Sequence, residues 1–111
     1  MAITVRNIIP RKQAEAVQTT QYTAVNCRTV IDKFTVTNTT GAPVTISVYL
    51  VPSAGAANAS NCVLSSKSIA ANETYNCPEL IGQALEASGF ISTIAGAATS
   101  LTISATGREI T

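Results

Sequence analysis

The amino-acid sequence predicts an all-β protein, an antiparallel β-sandwich resembling a jelly roll, with seven or eight strands and one short helix near 78–86. Three features lead there. Apolar residues recur at every second position, β-branched residues dominate those runs, and small polar clusters separate them. The clearest run is Val44-Thr45-Ile46-Ser47-Val48-Tyr49-Leu50, where every even-numbered position is apolar. That is the period of two that a strand with one buried face requires.

Taken along the chain, Ile3-Thr4-Val5-Arg6 is a short alternating start, and 14–25 is a weaker strand candidate. Lys33-Phe34-Thr35-Val36-Thr37 repeats the clear pattern, and Asn38-Thr39-Thr40-Gly41-Ala42-Pro43 after it reads as a hairpin loop. Residues 52–60 are small and polar, as an exposed loop would be, and 61–69, 72–77 and 89–94 are further weak strands. Pro78 opens a stretch in which Leu80, Ile81, Ala84 and Leu85 would share one helical face, with Gly89 as a stop. Residues 95–99 form another small-residue loop before Ser100-Leu101-Thr102-Ile103-Ser104-Ala105. The inward set is then Val5, Phe34, Val36, Val44, Ile46, Val48, Leu50, Leu101 and Ile103.

At 111 residues the chain fits one domain, and 46% hydrophobic residues exclude a disordered chain. Charged residues are only 12%, about half the usual share, which suits a protein that packs among others. A net charge of +1 gives no general attraction to nucleic acid or to acidic membranes. No stretch approaches a membrane span, and MAITVRNIIPRK holds no apolar run of signal-peptide length. Synthesis and assembly are therefore expected in a cytosolic compartment.

Catalytic chemistry is hard to place. With no histidine, the commonest general base and any Ser-His or Cys-His pair are missing. Asp32 and the five glutamates Glu15, Glu73, Glu79, Glu86 and Glu109 are scattered, and read as solvated or ion-paired surface acids. Cys27, Cys62 and Cys77 form no CxxC pair and have no histidine to complete a zinc site. They read as reduced, small hydrophobes, although spacing alone would allow a Cys62–Cys77 bridge. Phosphate-binding glycine loops are absent as well. No catalytic residue, metal or cofactor is expected.

The basic residues are uneven. Arg6, Arg11 and Lys12 fall in the first dozen positions with no acid before Glu15. They are the candidate partner-binding residues, aimed at an acidic surface. Either an arm over residues 1–12 or a first strand would present them, with 13–111 forming the sandwich.

Three blocks carry a family resemblance: FTVTNTTGAPVTISVYLVP (34–52), SIAANETYNCPELIGQAL (68–85) and ATGREI (105–110). They resemble small structural proteins of tailed phages, in particular the capsid decoration, or staple, proteins of short-tailed enterobacterial phages of the epsilon-fifteen type. The resemblance covers residues 34–111 and reaches the first third only indistinctly. It implies a jelly-roll-like virion protein on the outside of an icosahedral head, without a small-molecule site. Such a protein binds the assembled major capsid protein and clamps neighbouring capsomeres, as a homodimer near two-fold axes. Two rival classes are a receptor- or carbohydrate-binding module of a phage tail or fibre, and a fimbrial pilin. The first would want exposed aromatics in loops 53–60 or 95–99, which have none, and the second a signal peptide.

Overall fold

The alternating runs become strands in the computed structural model, which describes residues 2–111. Nine strands follow in order: β1 (Ile3–Gln13), β2 (Thr19–Thr23), β3 (Arg28–Asn38), β4 (Val44–Val51), β5 (Cys62–Ile69), β6 (Thr74–Tyr75), β7 (Ala84–Leu85), β8 (Phe90–Ala95) and β9 (Leu101–Ile110). β6 and β7 have two residues each, so seven longer strands carry the sandwich. One sheet runs β1-β9-β3-β6, with β7 also on β3, and the other runs β2-β8-β4-β5. Every pairing is antiparallel. No helix among the described residues is long and apolar enough to cross a membrane.

The core lies between the sheets. Phe34 and Val36 of β3, with Leu101, Ile103 and Ala105 of β9, face Ile46 and Val48 of β4 and Ile91 of β8. All are buried, as the alternation requires. At the end of β3 the fully buried Asn38 takes over from the ladder. Its Nδ2 donates to the carbonyls of Ala42 at 2.8 Å and Ile69 at 3.0 Å, and its Oδ1 accepts from Thr40. One amide thus ties the end of β3 to the turn and to the end of β5 in the opposite sheet.

That turn corrects one expectation: residues 38–43 do not close a hairpin. β3 pairs with β9, β6 and β7, whereas β4 pairs with β5 and β8, so the segment arches from one sheet to the other. Alternation reports which face of a strand is buried, not which strand lies beside it. Two members of the inward set also differ. Leu50 is only half-buried, and Val5 is 76% exposed. Val5 does alternate as read, but it sits opposite Arg108 on the outer face of its sheet.

The short helix near 78–86 reduces to a single 3-10 turn, Pro78–Leu80. Ile81 is extended and Gly82 has φ 85, and both break the helical path. The freed backbone bonds to β3 instead, with Gly82 N–H donating to the Ile31 carbonyl at 2.7 Å and Ile31 N–H donating to Gln83 at 2.8 Å. A sheet edge in need of partners outcompetes a marginal four-turn-residue helix face.

Truncating Phe34 or Ile46 to Ala is expected to cost about 2–5 kcal/mol in urea unfolding, and Leu50→Ala distinctly less. Alkylation of the native protein without reductant is expected to label the half-buried Cys62 first. Cys27 and Cys77 are buried, and burial pushes the Cys77 thiol up to about 12, so both should react only after denaturant is added. Failure of two cysteines to react even when unfolded would reveal a bridge.

Candidate functional site

β9 is bonded along both edges, and both of its neighbours bulge toward the same stretch of it. On β1, the step from Arg6 to Ile9 matches the shorter step Gly107 to Ala105, and Ile9 to Lys12 matches Ala105 to Ile103. Each step inserts one extra residue. On β3, Ile31 to Lys33 spans only Gly107 to Thr106, so Asp32 is extra there. Bulges bend a strand and re-aim its side chains. Pro10 fits this geometry because an edge strand need not supply every N–H.

The consequence is a groove on the outer face of this sheet, of about 280 Å³, lined by Arg11, Lys33, Thr35, Ser104 and Thr106. Ser104 is paired with Thr35 and Thr106 with Lys33, and Arg11 comes from the bulge on the far side of β9. The adjacent acid, Asp32, is turned to Arg108 through contacts of 3.0–3.2 Å from Nε and Nη2. It does not line the groove.

Nearer the ends of β1 and β9, apolar residues stand on the outer face among Arg108 and Arg28, and polar ones turn inward. Register places Ile3, Val5, Val30 and Ile110 on the outer face, and Ile3 and Val5 are 56% and 76% exposed. Turned inward are Thr29 and Glu109, which meet Tyr22 from the other sheet, while the largely exposed Arg6 reaches Glu109 from the rim. The Tyr22 hydroxyl donates to Glu109, shares a 2.7 Å hydrogen bond with Thr29, and Glu109 receives Arg6 at 3.3 Å. Burial, then the Glu109 carboxylate, drives the Tyr22 hydroxyl well above its ordinary pKa, so it stays a donor.

Of the three basic residues singled out by sequence, two are engaged within the chain. Arg6 pairs with Glu109, and Lys12 with Glu15 at 2.9 Å. Hydrogen bonds from Gln21 and then Lys12 hold the Glu15 carboxyl below its ordinary value. Arg11 is in none of the ion pairs among the described residues, nor is Lys33. The three candidates are therefore not brought together as one cationic cluster. Lys33 was missed because it is distant in sequence and followed by Phe34 in an ordinary strand pattern. A charged residue beside another, Asp32-Lys33, in an otherwise alternating strand was the available hint of a bulge.

The acids are dispersed. Glu15 binds Lys12 and Gln21, Asp32 Arg108, Glu73 the Ala70 N–H, Glu79 Tyr75, Glu86 Arg28 and Glu109 Arg6 with Tyr22. No two share a partner among the described residues. No group of three or more metal-ligating side chains occurs among the described residues. Three larger depressions, of about 470, 410 and 370 Å³, have no basic residue in their lining, and the first two lie beside Pro52. Their only charged lining residue is Glu86, so they offer neutral polar groups such as Asn58, Asn61 and Gln83 but no ionic anchor for an acidic ligand.

Fold and surface together define a β-sandwich module with one apolar, cation-bearing face. No protein-family model matches the chain, and no curated protein is significantly similar to it. Among solved structures, it is similar to a chain in the structure of infectious bursal disease virus Gx strain, with a TM-score of 0.53 and 16% identity over 98% of this chain. A chain in the crystal structure of the infectious bursal disease virus VP2 subviral particle aligns with a TM-score of 0.49 and 15% identity, again over 98% of this chain. The chain spans only 33% and 32% of those two chains. At such identity the likeness is one of fold.

Tyr22→Phe is expected to destabilise the domain by about 1–3 kcal/mol, because Glu109 and Thr29 lose their partner in a partly buried site. Tyr75→Phe removes an exposed hydroxyl that donates to Glu79 at 2.7–2.8 Å and should stay within about 0.5 kcal/mol of wild type. Urea midpoints of the two variants, compared side by side, check the contrast.

Proposed function

We propose that this chain is a non-enzymatic virion structural protein that binds the outside of the assembled capsid and clamps neighbouring capsomeres as a homodimer. The observation that carries the reading is the apolar group on the outer face at the end of the β1-β9-β3 sheet. Ile3 and Val5 stand in solvent with Val30 and Ile110 near them, among the ion-paired Arg108 and Arg28, while Glu109 and Thr29 face inward. Large apolar side chains grouped on an outer face mark a surface that a partner covers.

Other features support the same reading. The fold is similar to that of a chain in an infectious bursal disease virus structure, and residues 34–52, 68–85 and 105–110 resemble phage decoration proteins. The absence of histidine from the sequence and the separate engagement of all six carboxylates, four by ion pairs and two by hydrogen bonds, support a role without catalysis.

The apolar patch suits a second copy. It lies beside the free edge of β1, and a two-fold axis there presents the same residues twice, so no second surface has to be evolved. Apolar seams are also what homodimers use more than transient complexes do. Once one copy is bound to a capsomere, its twin meets the neighbouring site at an effective concentration of about millimolar. The pair then outbinds either copy by roughly 10²–10⁴-fold. Because it binds assembled shell better than free subunits, linkage makes it stabilise the shell.

Val5→Glu is expected to convert the dimer to a folded monomer in sedimentation velocity. Particles carrying wild-type protein should release their genome at a higher temperature than bare particles, and Val5→Glu should lose that protection. Equal release temperatures for bare and decorated particles would exclude the stabilising role. Full protection by a monomeric Val5→Glu would exclude the clamp.

A further inference from the structure

The groove between the two bulges has no part in the apolar seam, and its chemistry is specific. Arg11 and Lys33 reach it from opposite sides of β9, and Thr35, Ser104 and Thr106 add hydroxyl donors along its floor. Seven basic residues occur in the chain, and four are consumed by Glu109, Glu15, Glu86 and Asp32. Lys67 lies over the Tyr75 ring at 4.8 Å. Arg11 and Lys33 are the two that have neither an acid nor a ring beside them among the described residues, and both open into the same groove.

We infer that this groove is a carboxylate-binding site, which receives an aspartate- or glutamate-bearing segment of the protein surface that the chain docks on. An arginine fork, an ammonium and hydroxyl donors match the acceptor-only oxygens of a carboxylate. Charge complementarity selects an acidic protein segment over nucleic acid. Two cations and a net charge of +1 are far short of the basic surface that a phosphate backbone demands. The bulges on both flanking strands set the two cations on opposite sides of a floor that the β9 ladders fix. That the partner is a protein surface rests on the proposed structural role, whereas the groove's preference for carboxylates does not.

The test is an amide-shift titration of the full chain with hexaglutamate at low salt. Shifts should centre on residues 11, 33–35 and 104–106, and should fade at 0.5 M salt as screening shortens to about 4 Å. The folded double variant Arg11→Glu, Lys33→Glu should bind about tenfold or more weakly. Arg11→Gln, Lys33→Gln serves if charge reversal disturbs folding, and Lys12→Gln should bind as wild type does. Absence of shifts in the groove, shifts that survive the double substitution, or tighter binding of a thymidine hexanucleotide to the same residues would each overturn the inference. No particle is present in this titration. Its failure therefore removes the groove and leaves the structural role standing, while failure of the genome-release assay leaves the groove's chemistry intact.

Discussion

The rest of the molecule depends on β9 being hydrogen-bonded along both edges. β1 and β3 use it as their common partner, and all of its inward positions must fit beneath the opposite sheet. Leu101, Ile103 and Ala105 supply the apolar floor, shrinking to Gly107 where β3 comes closest. A Cβ at Gly107 would overlap the Val30 carbonyl oxygen, so glycine there reflects space rather than conformational freedom. Because β9 stays regular, the mismatch in length is taken up by its neighbours as bulges. The groove follows from that division of strain.

The same arrangement explains why the two ends of the sheet differ. In the middle, Phe34 and Val36 of β3 and Ile103 of β9 meet β4 and β8 across an apolar interior, and the outer face carries threonine and serine with Arg11 and Lys33. At the end where β1 and β9 begin and finish, the interior is occupied by Tyr22, Thr29 and Glu109, with Arg6 closing the network from the rim. Each polar group there has a partner from another strand, so it ties four strands together with little apolar burial. The apolar residues displaced from that interior stand outside. A surface of this kind is costly to leave in water and inexpensive to cover, and that asymmetry favours association.

Chemistry is distributed to match. Acids and bases that could have met in one cleft are separated into single pairs around the sheet. Surface pairs of this sort contribute little stability each, and their main effect is to remove charge from the exposed face. What remains is a weakly charged sandwich with one cationic groove.

The sequence by itself determined the fold class and most of the core, because burial on one face imposes a period of two that is written locally. Phe34, Val36, Ile46, Val48, Leu101 and Ile103 were legible for that reason. Arg11 was legible as a free-standing base in a basic stretch, but Arg6 and Lys12 looked the same. Only the tertiary structure decided which strands pair, that residues 38–43 cross between sheets, that 81–85 feed β3 rather than a helix, and that Val5 faces water. It also decided that Lys33 joins Arg11. Those outcomes depend on which backbone edge is free and where extra residues are inserted between paired strands, and these are relations between distant segments that no local pattern encodes.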